Sequence, residues 1–310
     1  MIYDCAIIGG GPAGLNAALV LGRARRSVAL IDNNRPRNAV THASHGFLTR
    51  DGVTPSEFRR IAYEEVLGYP SVTHYPQEVI SVRTVPDGFE IITGTGESLH
   101  ARKVLITTGL KEILPNIPGA QEMYGQSLFN CPYCDGWELR DQPLIVVSEH
   151  ERLHHLAKLL YGWSRDLVVC TNGSHVLTDE QKQQLTARGI IVTEQQVAAF
   201  HGEGGKLQQV EFTDGSRIER TGGFLTPAQL PQASFGEELH YEKNELGGIK
   251  TDETGRSSVP GLFAAGEAAS GGSSQLILSA AAGSLIAVHI NHELSEDTFS
   301  KGESNESIPV

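Results

Sequence analysis

The chain has 310 residues, 39% hydrophobic and 20% charged, with 34 glycines and a net charge of −12. Such a length suits one large or two ordinary globular domains, and so acidic a chain with no basic run is a poor nucleic-acid binder. No apolar stretch is long enough to cross a bilayer, and an apolar strand pattern begins too early to leave room for a signal peptide, so a cytoplasmic protein is expected.

Tyr3 to Ile8 reads as a buried strand, followed by Gly9-Gly10-Gly11-Pro12-Ala13-Gly14 and a helical spacing from Leu15 to Arg26. Val28 to Ile31 is a second strand that ends in Asp32. Strand, G-x-G-x-x-G, helix, strand and acid together predict a dinucleotide site. In it Gly9 allows the tight turn, Gly11 lets the backbone approach a pyrophosphate, and Gly14 lets helix and strand pack closely. The helix N-terminus offers free N–H groups to the phosphates, and Asp32 is placed to accept from a ribose hydroxyl.

Residues 33–52 read as a long loop, containing Arg35-Pro36-Arg37-Asn38, His42, His45-Gly46-Phe47-Leu48 and Asp51-Gly52. A loop of this length in a compact domain is usually functional, and here it could cover the dinucleotide. Thr54-Pro55-Ser56-Glu57 is a capping box with proline at the first helical position, so a helix is expected from there to about Leu67. Strands follow at Glu78–Arg83 and Phe89–Thr93, joined by the turn dipeptide Asp87-Gly88, and then at Lys103–Gly109.

A second unit is expected from about Ile113, after which Leu114-Pro115-Asn116-Ile117-Pro118-Gly119 has the look of a linker. Its centre is Cys131-Pro132-Tyr133-Cys134-Asp135-Gly136-Trp137-Glu138. A Cys-x-x-Cys pair lowers the pKa of one of its thiols, so it can close a small disulfide ring or stand as a reactive dithiol. Asp135 places an acid where a thiol must gain or lose a proton. The competing reading, half a zinc site, needs a second Cys-x-x-Cys or a suitably spaced His pair; there is no second Cys-x-x-Cys, and His42 and His45 lie far away in a different kind of segment. Cys5 and Cys170 fall in apolar, strand-like runs and read as buried core.

Leu144–Val147 is a strand, Ser148–Leu160 a helix capped by Ser148 with Glu151, and Asp166–Cys170 the next strand. This strand–helix–strand unit has no glycine between Gly136 and Gly162. Ser148-Glu149-His150-Glu151 stands where a phosphate-cradling turn would be, and its carboxylates repel a pyrophosphate. Thr171-Asn172-Gly173-Ser174 supplies no arginine for a 2′-phosphate. His150-Glu151-Arg152-Leu153-His154 matches H-E-x-x-H and would put both histidines on one helical face, but no clear third ligand follows, so the match reads as chance. Further strands are expected near Ile190–Val192, Val197–Phe200 and Leu207–Phe212. From about residue 241 the first unit resumes: Gly261–Gly266 is a short strand ending in Gly266-Glu267, a glycine turn leads into a helix from Gln275 to about Leu294, and Ser295–Val310 reads as a loose tail.

Gly9-x-Gly11-x-x-Gly14, Cys131-x-x-Cys134-Asp135 and Gly261-Leu-Phe-Ala-Ala-Gly266-Glu267 come in the order of the low-molecular-weight thioredoxin reductases, which this chain resembles over nearly its whole length. The resemblance implies an α/β fold of two Rossmann-like, three-layer ββα domains. Residues 1–112 and 241–310 would form a discontinuous FAD-binding domain, and 113–240 an inserted NADPH-domain-like unit that carries the redox pair. It also implies that Cys134 lies against the flavin, Cys131 attacks the partner disulfide and Asp135 is the acid–base. FAD would be held by Gly9, Gly11, Pro12, Ala13, Gly14, Asp32, Asn38, His45, Val79, Thr108, Gly109, Gly266, Glu267 and Gln275, with Glu267 in place of the usual aspartate.

The loop motifs of residues 35–52, Cys-Pro-Tyr-Cys and Gly-Trp-Glu look closer to a branch without an NADPH motif, which includes the dithiol oxidases of gliotoxin and holomycin biosynthesis. The resemblance implies a thioredoxin-like protein or a small dithiol or disulfide as partner and a homodimer, and the dithiol-oxidase likeness implies oxygen as electron acceptor; with the direction of electron flow open, a donor such as ferredoxin would serve the reductive direction. An NADPH-dependent reductase with a degenerate site and a non-catalytic flavin-binding sensor are the alternatives; the intact Cys-x-x-Cys-Asp argues against a sensor.

Overall fold

A computed structural model of the chain describes residues 2–232 and 235–301. Two compact units divide it: Met1–Arg37, Ser56–Lys111 and Gln229–Val310 form the first, Asn38–Pro55 and Glu112–Ala228 the second. Each is an α/β unit built on a largely or wholly parallel sheet.

In the first unit, strands Val72–Tyr75, Val28–Ile31, Ile2–Ile8 and Ser98–Ile106 lie side by side in parallel, and Leu262–Ala264 also pairs with Ser98–Ile106 in parallel. Gly88–Thr93 and Val79–Val85 extend the sheet antiparallel. The period of two in these strands fills both faces. Ala6, Ile8, Ala29, Ile31, Val104 and Ile106 join one apolar cluster, while Cys5, Ile7, Val28, Leu30 and Leu105 join another. A sheet covered on both sides requires such unbroken apolar runs, and each buried Leu, Ile or Phe stabilises by about 1.5–3 kcal/mol.

The second cluster includes Ala13, Ala17 and Ala18 of the helix Pro12–Arg23 and Ala287 and Ile290 of the helix Leu276–Lys301. These two helices approach closely because their contact residues are small. A Cβ on Gly283 would fall on the carbonyl of Ala13, and Asn16 Nδ2 donates to the carbonyl of Ala280 at 2.9 Å. The long helix thereby braces the first turn of the helix that follows the glycine motif. It also runs seven residues beyond the expected end at Leu294, so Ser295–Lys301 is helical rather than tail; the remainder of the expected tail, 302–310, lies outside the described residues.

The second unit carries a five-stranded parallel sheet in the order Ile191–Thr193, Leu167–Cys170, Leu144–Val147, Gly222–Leu225, Leu128–Phe129. An antiparallel meander of Val197–Glu203, Lys206–Phe212 and Arg217–Glu219 adds a layer. The alternation recurs: Ile145, Val147, Val168 and Cys170 face one cluster, Leu144, Val146, Leu167 and Val169 the other.

The helix expected over Ser148–Leu160 spans only Leu153–Leu160, with Arg152 at its N-cap and no side-chain cap. Ser148 Oγ instead accepts from the N–H of His150 at 3.1 Å, a local turn that competes with helix. His150 therefore precedes the helix, and the H-E-x-x-H spacing does not place both histidines on one helical face. The expected loop 33–52 contains a 3₁₀ turn, Arg37–Val40, and a β-bridge from Ser44 to Val53. Among the described residues no helix is long and apolar enough to cross a membrane.

Candidate active site

The glycine motif of the first unit joins the Ile2–Ile8 strand to the helix Pro12–Arg23. Gly9 has a φ of +113°, and a Cβ there would meet the carbonyl of Thr107. On Gly10 a Cβ would strike the Tyr63 hydroxyl and the Asp32 carboxyl, and on Gly14 the Gly9 carbonyl and Thr107 Oγ1. Gly11 differs: a Cβ there meets nothing within 4 Å. Three glycines are thus required by the protein's own packing, and the fourth faces open space beside a helix N-terminus. No side chain caps that helix and no acid stands in its first turn, so its unpaired N–H groups are available to an anion.

Asp32 directly follows the second strand and is buried. Its Oδ1 accepts from the Gly10 N–H at 2.9 Å, and its Oδ2 accepts from Arg59 Nη2 at 2.8 Å, Tyr63 Oη at 2.8 Å and the Asn34 N–H at 3.2 Å. Burial works to raise this carboxyl's pKa, but the Arg59 and Gly10 hydrogen bonds and the Arg59 charge outweigh it and hold it below the usual range. Four donors occupy the acceptor positions of one carboxylate, so a ribose hydroxyl would have to share or displace one of them. Arg59 and Tyr63 lie one turn apart on the helix Pro55–Leu67. Neither was expected, and the only signal in the sequence is that a buried carboxylate calls for a cation.

Gly266 (φ +64°) ends the loop after the Leu262–Ala264 strand, and a Cβ on it would lie 3.2 Å from Ala13 Cβ. Glu267, also buried, accepts from Arg37 Nη2 at 2.6 Å and from the Ser274 N–H at 2.8 Å. A Cβ on Gly109 (φ +71°) would stand 3.6 Å from Glu267 Oε2. Thr108 and Gly109 follow the Ser98–Ile106 strand, Val79 begins the Val79–Val85 strand, and Gln275 immediately precedes the long helix. The fold gathers Gly9, Gly11, Pro12, Ala13, Gly14, Asp32, Val79, Thr108, Gly109, Gly266, Glu267 and Gln275 into the first unit, and puts Asn38 and His45 in the second.

In the second unit Cys131 and Cys134 form a disulfide with Cα atoms 5.3 Å apart. Cys131 is the N-cap of the short helical turn Pro132–Asp135, whose Pro132 stands where an N–H is not needed. A Cβ on Gly136 would meet the Pro132 carbonyl and the Trp163 ring, and Tyr133 packs edge-on to Trp163 at 5.6 Å, which fixes the turn. Asp135 is 8% exposed. Burial pushes its carboxyl up to about 7, the Glu138 charge adds to that, and His45 opposes it. His45 in turn lies with Nε2 3.6 Å from Glu138 Oε1 and Nδ1 3.5 Å from Asp51 Oδ1. Glu138 and Asp51 stand in motifs of the sequence but carry no assigned role there.

At the carboxyl end of the second unit's sheet, Asn172 Nδ2 donates to Glu149 Oε1 at 2.6 Å, and Thr226 Oγ1 donates to Ser148 Oγ at 2.6 Å. The turn after the Leu144–Val147 strand is therefore tied to the turns after its two neighbours, Leu167–Cys170 and Gly222–Leu225.

The family described as pyridine nucleotide-disulphide oxidoreductase matches residues 3–283. A protein of Arthroderma benhamiae described as "Probable thioredoxin reductase" is 32% identical, over 95% of this chain and 81% of its own length. The crystal structure of TrxB from Bacillus anthracis superposes with a TM-score of 0.92 at 47% identity, covering 96% of this chain and all of that one. The crystal structure of HlmI gives 0.91 at 37% identity, over 97% and 95% of the two chains.

Proposed function

This chain belongs to the pyridine nucleotide-disulphide oxidoreductase family, and we propose that it exchanges electrons between a dithiol or disulfide partner and FAD through Cys131 and Cys134, without NADPH. It is a thioredoxin reductase-like flavin oxidoreductase. FAD is its cofactor, and the first unit fits it: Gly11 leaves open the space a side chain would fill, and the uncapped helix start offers N–H groups to a pyrophosphate. Pro12, Ala13, Gly14, Thr108, Gly109, Gly266, Glu267 and Gln275 would complete that site. When bound, FAD supplies a two-electron store.

The chain's own chemistry is thiol–disulfide exchange. In the oxidative direction a substrate thiolate attacks Cys131, the Cys131–Cys134 bond breaks, and Cys134 leaves as a thiolate. The second substrate thiol gives its proton to Asp135 and attacks the mixed disulfide, which releases oxidised substrate and the Cys131 thiolate. Two electrons pass to the cysteine pair. The reductive direction reverses each step. A thioredoxin-like protein or a small dithiol would suit such a pair.

The observation that carries independence from NADPH is the Asn172–Glu149 hydrogen bond. It holds a carboxylate at the carboxyl ends of adjacent parallel strands, where a doubly wound sheet binds a pyrophosphate. Glu151 adds a second carboxylate to the turn, against one cation, Arg152. A like charge about 4 Å away costs roughly 1–4 kcal/mol, and each ~1.4 kcal/mol is tenfold in affinity. The test is anaerobic titration of the FAD-loaded protein, first with NADPH and then with dithiothreitol. Dithiothreitol should bleach the flavin and NADPH should leave it oxidised. Full reduction by sub-millimolar NADPH within seconds would restore an ordinary NADPH-dependent reductase.

A further inference from the structure

We propose that Arg37 is a positioning residue for FAD: it holds one oxygen of Glu267, so that the other oxygen is set to accept a hydroxyl of the cofactor's ribityl chain. The inference rests on the FAD site proposed above in the first unit. It adds a residue that acts on the cofactor only through its grip on Glu267.

Sheet order decides which half of a dinucleotide Glu267 can meet. The strand Ile2–Ile8 leads into the glycine motif, with Val28–Ile31 on one side of it and Ser98–Ile106 on the other, all parallel. Asp32 directly follows Val28–Ile31. Gly109 stands just past Ser98–Ile106, and Gly266-Glu267 just past Leu262–Ala264, which pairs with Ser98–Ile106. A pyrophosphate at the start of the helix Pro12–Arg23 with its adenosine toward Asp32 therefore sends its other half toward Gly109 and Glu267. In FAD that half is the ribityl chain and the flavin. A Cβ on Gly266 would lie 3.2 Å from Ala13 Cβ, so Glu267 follows a residue packed on the first turn of that helix.

The two oxygens of Glu267 have different surroundings. Oε1 accepts from Arg37 Nη2 at 2.6 Å and from the Ser274 N–H at 2.8 Å. Among the described residues both hydrogen bonds to this carboxylate fall on Oε1. Oε2 looks toward Gly109, whose missing side chain leaves that side clear: a Cβ there would stand 3.6 Å from it. Ser274 is itself anchored, with its Oγ 2.7 Å from Ser279 Oγ. The carboxylate is thus pinned at one oxygen by a cation and a backbone donor, and its second oxygen faces the side where the ribityl hydroxyls would lie.

Two arginines flank Pro36, and the fold treats them differently. Arg35 is 73% exposed and comes no closer than 4.0 Å to Glu78, itself 57% exposed. Arg37 turns inward, 28% exposed, to a carboxylate that is 9% exposed. Its bond is charge-assisted and largely shielded from water, the kind that fixes orientation. Arg37 has a second effect of the same sign. Without it, an uncompensated carboxylate would stand on the path of a ligand that carries two phosphates, and like charges there oppose binding.

The experiment uses the FAD-loaded full chain and reads the flavin, not turnover. Holoprotein is diluted, and the rise in free-flavin fluorescence gives the rate of release. The bound FAD is then exchanged for analogues that each lack one ribityl hydroxyl, and release is timed again. From wild-type protein, one analogue should leave about tenfold or more faster than FAD, because it lacks the hydroxyl given to a charged acceptor. Arg37→Ala should release FAD about tenfold or more faster than wild type. It should release that one analogue at the wild-type rate for the analogue to within about twofold, because both changes remove the same interaction. Arg37→Lys keeps the charge without the planar fork. It should fall between the two, and it carries the same comparison if Arg37→Ala does not retain FAD. Release of FAD from Arg37→Ala at the wild-type rate would overturn the positioning role, as would equal release of all analogues from wild-type protein. Losses from substitution and analogue that multiply would also overturn it, because Arg37 would then support the fold or touch the cofactor itself. Wild-type protein that holds no FAD would instead overturn the proposed cofactor site, and the positioning role with it.

Discussion

Arg59 closes the acidic end of the dinucleotide turn: its Nη2 donates to Asp32 Oδ2 at 2.8 Å and its Nη1 to the Gly10 carbonyl at 2.6 Å. One side chain thus ties the second strand's terminal acid to the middle of the glycine motif. Both partners are largely buried, Arg59 at 12% and Asp32 at 9% side-chain exposure. Removing one member of a buried pair leaves an uncompensated charge and costs about 3–5 kcal/mol.

Arg59→Ala should therefore lower the thermal midpoint by several degrees and reduce the FAD retained through purification. The pH dependence has a definite sign. Asp32's folded pKa is depressed, so its contribution to stability is present above the ordinary value of 3.8 and is lost as pH falls through the folded pKa. Without Arg59 that loss begins at higher pH, and acid unfolding followed by intrinsic fluorescence should shift upward. Tyr63→Phe removes one hydrogen bond and should cost about 1 kcal/mol. An acid-unfolding midpoint unchanged in Arg59→Ala would show that the pair contributes nothing to stability.

The sequence exposed what repeats along the chain and hid what converges on one place. The two strand–helix–strand starts, the apolar runs Val28–Ile31 and Leu144–Val147, and the glycine motif were readable because periodicity and turn chemistry are local. Ser148 and Glu151 have capping-box spacing, which points to a helix start at Ser148, whereas Ser148 Oγ accepts from the nearer N–H of His150 and the helix starts at Leu153. Ser295, Glu296 and Asp297 look like tail, which points to an end of the long helix at Leu294. Yet Lys103 Nζ lies 3.3 Å from Asp297 Oδ2, and Arg26 Nη2 donates to Ser295 Oγ at 2.6 Å, both from residues far back in the chain. The partners of Arg59, Glu138 and Asp51 are hidden for the same reason: they are 27, 93 and 6 residues away, and only folding decides which charges meet.

The four cysteines should separate sharply by reactivity. Cys5 is fully buried, and burial, aided by the Asp4 charge, pushes its thiol far up. Burial likewise pushes Cys170 up to about 11. The thiolate is the reacting species, and at pH 8 a thiol of pKa about 11 is roughly one part in a thousand ionised. A chromogenic disulfide reagent should find no thiol in the oxidised native protein, two after reduction with a dithiol and removal of the reductant, and four once the reduced chain is unfolded. Four fast thiols in the native reduced state would mean that Cys5 and Cys170 are not the buried core residues their strands make them.

Asp135 should oppose stability and support chemistry at the same time. Its carboxyl is raised from 3.8 to about 7, first by burial and then by the Glu138 charge. Between those values the native protein holds a proton that the unfolded chain has released, so stability falls as pH rises from about 4 to about 7, then levels off. At about 1.36 kcal/mol per pH unit the loss has a ceiling of ~4 kcal/mol. Other carboxylates, Asp32 and Glu293 among them, are depressed and slope the other way, so the difference between two proteins isolates the effect. Asp135→Asn carries no charge at any pH. Compared with wild type by urea unfolding with the disulfide intact, it should gain progressively from pH 5 to pH 8, by as much as a few kcal/mol. The same substitution removes the proposed acid–base and should slow dithiol exchange by about 10²–10⁴-fold. A variant that is more stable above neutral pH yet far slower is the expected result: burial and the Glu138 charge make the ionised carboxyl costly to the fold, and the proposed exchange needs its proton. Parallel stability curves for the two proteins across this range would show instead that Asp135 titrates like an ordinary surface acid.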